Sequence, residues 1–555
     1  MSQKGKIIRI ALGALTVVLL ALAVFMSPKR GEPLPDIEIG EEEKEDLLAA
    51  RTESKKKLEA SVSFGGIDLA YDAVGDVYYY SMPEGAVSAV TPDVKAVGIK
   101  GPLDVAFPEG QRITDELISS NTPLEAIVYN AEEYRRIKIV CTTLPIISVA
   151  CDDEIEDEYV PMEMRVYDNR RDATNRLTIC SGKIHVRGNT SAMYSKKAYR
   201  ITLSDLSPGK NRRELDISLL GMRKDGDWIL YAAYNDQERV RNVMSSNLWY
   251  DTSAKRNGFG VDNGMEYRYC ELFVNGYYCG LYALGFPIDE IQLGIGRGEY
   301  TYKKYTWKRE MSIDYLDTDA INDNYTIREG EIDAGWSEAW APLARYYTFL
   351  QSVDSADKKL YGICDIDNAV DVFLYLCFVQ GVDNVNGWAS LNLLQTVKKS
   401  DGSPVMLFTP WDMDQTYGNH WNADKPNFIF AYGTPAHTIS VMKFSPVYLL
   451  MMHGDRDMIK TVQDRYRELR SGEWSDGAID ALIDRYEKII FGSGAYLRDI
   501  ERWPESSMID DPSRGLDDFR AYVKEHIKYT DDYIYGLDSA DLAEKYEVFD
   551  YGDRK

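Results

Sequence analysis

The period of the hydrophobic pattern changes along this 555-residue chain, and that change limits the fold more than any single residue does. Up to about Lys308 the apolar residues fall in short or alternating runs, the period of a strand. From about Trp336 they recur three and four apart, the period of a helix. The early runs VYYYSM, AVSAVTP, AIVYN and IKIVCTTLPIISVAC are broken by Gly, Pro, Asn and Asp. They predict a small β-rich, sandwich-like module over residues 61–160. GKIHVRG, KAYRITL and WILYAAY continue the strand pattern, and YRYCELFVNGYYCGLYAL reads as a hairpin turning at Asn275-Gly276. Between them, Val240, Val243, Met244, Leu248 and Trp249 have helical spacing. WAPLARYYTFLQSV, NAVDVFLYLCFVQGV, SPVYLLMMHG, DGAIDALIDRYEKII and GLDDFRAYVKEHIKYTDDYI are predicted helices. Two strands, SLNLLQTV and VMLFTPW, interrupt them and lead into an acidic turn. The expected class is α+β, a mixed β segment over 161–310 followed by a helical one over 311–555.

The N-terminus carries a different pattern. Ile10 to Met26 is an almost unbroken apolar run, preceded by Lys4, Lys6 and Arg9 and followed by Lys29 and Arg30. It is near the short end for a membrane-spanning helix and long for the apolar part of a signal peptide. Residues 1–30 are therefore expected to form a single-pass transmembrane anchor. The amino end would lie in the cytoplasm and the bulk of the chain outside it; cleavage within the run would instead release a secreted protein. Residues 31–60, rich in Glu, Lys, Pro and Asp, read as a charged linker.

Composition removes several functions. A formal net charge of −25 disfavours nucleic acid, which needs clustered Lys and Arg, and suits basic partners and metal ions. The five histidines include no H-x-x-x-H pair, so a zinc hydrolase is not expected. With Asp plentiful, a metal here would be a hard, oxygen-bound one such as Mg²⁺ or Mn²⁺. Seven scattered cysteines with no C-x-x-C do not make a disulfide scaffold. A two-residue turn at Asn275-Gly276 would set Cys279 opposite Leu272, too far from Cys270 for a relaxed bridge. There is no G-x-S-x-G and no Walker A sequence, and Gly294–Gly298 lacks the strand-to-helix context of a dinucleotide site.

Four stretches carry the chemistry. Val186-Arg187-Gly188-Asn189-Thr190-Ser191 is followed by Lys196-Lys197-Ala198-Tyr199-Arg200. Leu219-Leu220-Gly221-Met222 comes before Asp227-Trp228 and Arg241-Asn242. Phe273-Val274-Asn275-Gly276 runs into Gly280-Leu281-Tyr282. Gly381-Val382-Asp383 is followed by Ser390-Leu391-Asn392 and then by Pro410-Trp411-Asp412-Met413-Asp414 with Tyr417-Gly418. In residues, order and spacing this set resembles the CotH (spore-coat protein H) family of atypical protein kinases, over about Met162 to Ile534. Arg498-Asp499 and Arg502-Trp503 resemble the end of the family's domain.

The resemblance implies a two-lobed, atypical protein-kinase-like fold that transfers phosphate from ATP to serine or threonine on a surface or spore-envelope protein. A basic, serine-rich protein is the expected kind of substrate. Asp383 matches the base that orients the acceptor hydroxyl, and Asn392 the second metal ligand. The interval between them is longer than in a kinase catalytic loop, which leaves Asn386 as an alternative ligand. Asp412 follows an apolar strand and is expected to hold Mg²⁺ or Mn²⁺, with Asp414 second. Lys197 is expected on the nucleotide phosphates, under a roof of Arg187, Asn189 and Ser191. Lys303 matches a family lysine near the nucleotide, although Lys304 leaves its register open. Where the family has a glutamate after G-L-Y, this chain has Phe286. The alternative reading is therefore a non-catalytic surface protein that binds a partner or glycan.

Overall fold

The computed structural model describes residues 37–54, 58, 60–84, 94–204, 215–306, 308, 312–332, 336–352, 362–385, 392–400, 403–419, 445–452 and 455–538. The predicted anchor Ile10–Met26 and the alternative ligand Asn386 lie outside the described residues. Among the described residues no helix is long and apolar enough to cross a membrane.

AVSAVTP lies outside the described residues; the other early runs, up to Thr142, join one ten-stranded ladder. Phe64 and Tyr80 sit far apart in the strand order, yet their rings meet edge-on at 4.7 Å. The ladder therefore curls round a single core that includes Val62, Tyr78, Phe107 and Ile139. Right-handed strand twist gives a long sheet this tendency to roll.

Seven strands then close into a barrel, in the order Ile146–Ala150, Val160–Tyr167, Leu177–Arg187, Ala198–Leu203, Asp227–Tyr231, Tyr277–Gly285, Tyr267–Val274 and back. The closing pair is parallel, with Ile146 opposite Glu271. This corrects the predicted boundary at residue 160, because Ile146–Ala150 belongs to the barrel. An apolar run shows no pairing partner in sequence, so the reassignment could not be seen there. The rolled module packs on the barrel through Tyr79, which stacks on Tyr278 at 4.9 Å and meets Phe273 at 5.1 Å.

The predicted hairpin turns at Asn275-Gly276, both at positive φ (52° and 76°), as a type I′ turn requires. A bulge between Leu272 and Phe273 shifts the register beyond it, so Leu272 faces Gly280, not Cys279. All seven cysteines are free thiols.

Gly280 explains the bulge. Its φ is +108°, and a Cβ there would stand 2.3 Å from Asp499 Oδ1. The missing side chain lets the Asp499 carboxylate reach the barrel backbone, where Leu281 N donates to Oδ1 at 2.9 Å. Lys196 Nζ donates to the same oxygen at 2.6 Å, and Arg239 Nε donates to Oδ2 at 2.9 Å. All three side chains are fully buried. Next to them Arg498 forms a buried ion pair with Glu271, and Trp503 Nε1 donates to Cys279 O at 2.8 Å. The Ala495–Arg502 helix is thereby fixed to the barrel strand Tyr277–Gly285.

The helical half contains Trp336–Ser352, Ile366–Val379, Pro446–Met452, Arg456–Ser471, Asp476–Ile490 and Asp517–Tyr535. A four-stranded sheet lies within it, in the order Tyr325–Glu329, Tyr300–Lys304, Leu393–Ser400, Ser403–Pro410. Ile366–Val379 is buried nearly all round, as the apolar run Val372–Val379 demands, and its buried Asp371 is paired with Arg465.

Replacing Asp499 by Asn would leave Lys196 and Arg239 buried without their counter-charge. Removing one partner from a buried ionic group costs about 3–5 kcal/mol. Urea denaturation of Asp499→Asn is expected to show a loss of that size, and an unchanged midpoint would contradict the central role of this carboxylate.

Candidate active site

The sheet and barrel ends meet where the acidic turn leaves the strand Ser403–Pro410. Asp412 has φ of 57°, a left-handed conformation in which Asp is more tolerated than most residues and which concentrates at functional sites. Two asparagines hold it there. Asn384 Nδ2 donates to Trp411 O at 2.9 Å and to Asn392 O at 2.6 Å. Asn242 Oδ1 accepts from Met413 N at 2.9 Å. The peptide groups on either side of Asp412 are thus fixed, while its carboxylate reaches solvent.

Asp383 belongs to the short helix Val382–Val385, which follows the buried Ile366–Val379 helix. Its Oδ2 accepts from Asn392 Nδ2 at 2.7 Å, so the two predicted residues do meet despite the long interval. Its Oδ1 is buried with no hydrogen-bond partner. Burial, then the charge of Asp412, pushes the Asp383 carboxyl up to about 6; the bond from Asn392 opposes this. Asp414 Oδ2 accepts from Asn235 Nδ2 at 2.8 Å. Its carboxyl is raised well above the usual range by burial and by the charges of Asp412 and Asp383. Burial also raises Asp412, while Arg187 and Lys303 pull it back. Water reaches Asp412, which weakens that burial penalty.

The cations come from two other elements. Arg187 ends the barrel strand Leu177–Arg187. Lys303 lies on the sheet strand Tyr300–Lys304, its Nζ 5.0 Å from the centre of the Trp411 ring. The Lys303 ammonium is lowered by burial and by Arg328 and Arg187, and raised by Asp412. Lys304, next to it, is buried and donates to Lys308 O.

The remaining predicted residues sit apart. Lys196 precedes the strand Ala198–Leu203 and is buried against Asp499 and Leu281 O. Lys197 donates to Ala192 O at 2.7 Å, within its own loop. The two cations acting on Asp412 are Arg187 and Lys303. Asn189 is exposed in the loop, and Ser191 begins a short 3₁₀ turn folded over Gly188. Phe286 is fully buried, with Arg223 over its ring at 4.3 Å.

Sequence reasoning missed Tyr231, Asn235, Asn384 and Arg328. The buried Tyr231 hydroxyl has no partner and feels Asp414, Asp236 and Asp412. Only Asn384 carried a signal, its adjacency to Asp383. A groove lined by Leu316, Ala344, Arg345, Thr348, Phe349 and Ile363 lies elsewhere and offers no carboxylate.

The charge of Asp412 raises both Asp383 and Asp414, and these three carboxylates, with an unpartnered Asp383 oxygen and the Asn392 amide, form an oxygen-donor set that fits a hard divalent cation. Among the described residues no three His, Cys, Asp or Glu side chains converge on one point. A bound ion would therefore take at most two of these carboxylates, with Asn392, phosphate or water oxygens completing its shell. Mg²⁺ commonly binds in this way.

The family model described as CotH kinase protein matches residues 184–534, more than half of the chain and every residue of this site. No curated protein matches the chain.

The raised Asp383 carboxyl carries a sign. The folded chain binds this proton more tightly than the unfolded one, so the group opposes folding increasingly as pH rises from about 4 to about 6. Asp383→Asn is expected to raise the melting temperature of the metal-free chain at pH 7.5 and to change it little at pH 4. A variant equally destabilised at both pH values would contradict the assignment.

Proposed function

The chain belongs to the CotH kinase family, and from that premise we propose that it is an ATP- and divalent-metal-dependent kinase acting on serine or threonine of a surface or spore-envelope protein. The observation that carries this reading is the charge arrangement around Asp412. The charge of Asp412 acts on the carboxylates of Asp383 and Asp414, and the cations Arg187 and Lys303 act on Asp412. Phosphoryl transfer needs those two parts: oxygen ligands for the metal and fixed positive charge for the phosphates. Asp412 and Asp414 are the metal-side carboxylates, with Asn392. A bound Mg²⁺ or Mn²⁺ would neutralise developing phosphate charge.

Asp383 is the residue to accept the acceptor hydroxyl's proton. Its carboxyl, raised to about 6, is mostly ionised at pH 7 and closer to the working pH than an ordinary aspartate. Asn392 holds Oδ2, leaving Oδ1 to face the hydroxyl. The same reading keeps Ile10–Met26 as a membrane anchor, supported by Lys4, Lys6 and Arg9 before it, with the catalytic part outside the cytoplasm. The acidic chain would draw a basic, serine-rich protein substrate toward it.

One observation favours a second reading, a kinase-like protein that binds a partner or glycan without catalysis. Phe286 replaces the expected glutamate, and Glu290 nearby is engaged with Glu329 rather than with a lysine.

Incubation with γ-labelled ATP and Mg²⁺ or Mn²⁺ distinguishes the two. Wild-type chain is expected to transfer label to protein, and Asp383→Ala and Asp412→Ala to lose it by at least about a hundredfold, the scale of a lost general base. No transfer by the wild type, with no nucleotide-dependent rise in melting temperature, would leave the binding reading.

A further inference from the structure

Arg328 has no part in the sequence motifs, yet its position is the most specific in the site. It lies on the strand Tyr325–Glu329, which pairs with Tyr300–Lys304. The ladder sets Tyr302 opposite Ile327 and Thr301 opposite Glu329, so Arg328 is the extra residue of a β-bulge. Bulges re-aim side chains, and they gather beside active sites. The guanidinium carbon stands 4.2 Å from the centre of the Trp411 ring, the ring that Lys303 also covers. Trp411 immediately precedes Asp412.

An aromatic face holds a guanidinium without using its N–H donors, whereas a carboxylate clamp would occupy them. Arg328 Nε is buried with no hydrogen-bond partner. The nearest carboxylate oxygen, Glu329 Oε1, is 3.5 Å away. Burial and the neighbouring Glu290 push the Glu329 carboxyl up to about 8, so it holds its proton at neutral pH and neutralises Arg328 poorly. Burial, with the charges of Arg200 and Arg187, draws the Arg328 guanidinium down to about 10, while Glu329 and Asp289 oppose this. The Arg328 Nε–H is thus a buried donor without a hydrogen-bond partner, which is costly unless an anion completes it.

We propose that Arg328, re-aimed by the bulge and held on Trp411, binds the oligophosphate of the nucleotide together with Lys303 and Arg187. The inference rests on the kinase reading for the identity of the ligand, but the anion site itself can be probed without catalysis. Arg328 donates its fork to phosphate oxygens, a bidentate geometry that Lys303 cannot supply. Lys197, fastened to Ala192, leaves this position to Arg328.

The test uses the full-length chain and tripolyphosphate as the probe, followed by melting temperature, beside γ-labelled ATP transfer. Tripolyphosphate is expected to raise the wild-type melting temperature, and Arg328→Met to weaken that response at least about tenfold in probe concentration. Arg328→Lys keeps the charge on the ring and is expected to weaken it about three- to tenfold, which decides the matter if Arg328→Met does not fold. Unchanged probe affinity in Arg328→Lys and Arg328→Met overturns the inference. So does a wild type that answers to a glutamate-rich peptide and not to tripolyphosphate. If tripolyphosphate binds through Arg328 while no label is transferred, the anion site stands and the kinase reading falls. If label is transferred equally by wild type and Arg328→Met, the kinase reading stands and this inference falls.

Discussion

The Asp499 carboxylate, shared by Lys196 and Arg239 in a fully buried setting, is the interaction on which the rest of the molecule depends. It comes from the Ala495–Arg502 helix, Lys196 from the loop just before the barrel strand Ala198–Leu203, and Arg239 from the segment before the Arg241–Thr252 helix. One anion thus holds three parts of the chain that are far apart in sequence. Its two cations keep it ionised despite burial, and burial draws the Lys196 ammonium down to about 8, still charged at neutral pH. Because Lys196 is fixed, the loop before it is fixed, and Arg187 at the loop's other end is held where it acts on Asp412.

Much of the motif set is therefore architectural. Gly280 admits the Asp499 carboxylate, Leu281 N binds it, and the Tyr282 ring carries the Lys196 ammonium at 4.8 Å while its hydroxyl donates to Lys197 O. Arg502 and Trp503 bind the carbonyls of Tyr278 and Cys279. The proposed chemistry lies elsewhere, on the acidic turn, and the two are linked through the barrel. Low dielectric makes both centres strong: a charge out of water is costly alone and effective when paired.

The sequence made the large pattern legible because the hydrophobic period reports which face is buried. It gave the hairpin at Asn275-Gly276, the central apolar helix and the two strands leading to Asp412. Asp412 with Asp414 could be singled out because carboxylates at the end of an apolar strand are conspicuous, whereas Asp383 with Asn392 came from the family resemblance. Barrel closure escaped, since Ile146–Ala150 finds a parallel partner far along the chain. Lys197 drew attention over Arg187 because the bulk of a strand is easier to read than which end of it reaches a neighbour. Arg328 was invisible for a stricter reason: a bulge is a property of pairing, and neither strand alone contains it.

The central claim is that carboxylates and cations around Asp412 form one composite site that a divalent cation and a nucleotide complete together. Calorimetric titration of ATP into the full-length chain, with and without Mn²⁺, tests it most directly. The account predicts that Mn²⁺ tightens ATP binding by at least about tenfold, equivalent to about 1.4 kcal/mol, and that Asp412→Ala abolishes this gain. Equal ATP affinity with and without the metal would contradict it.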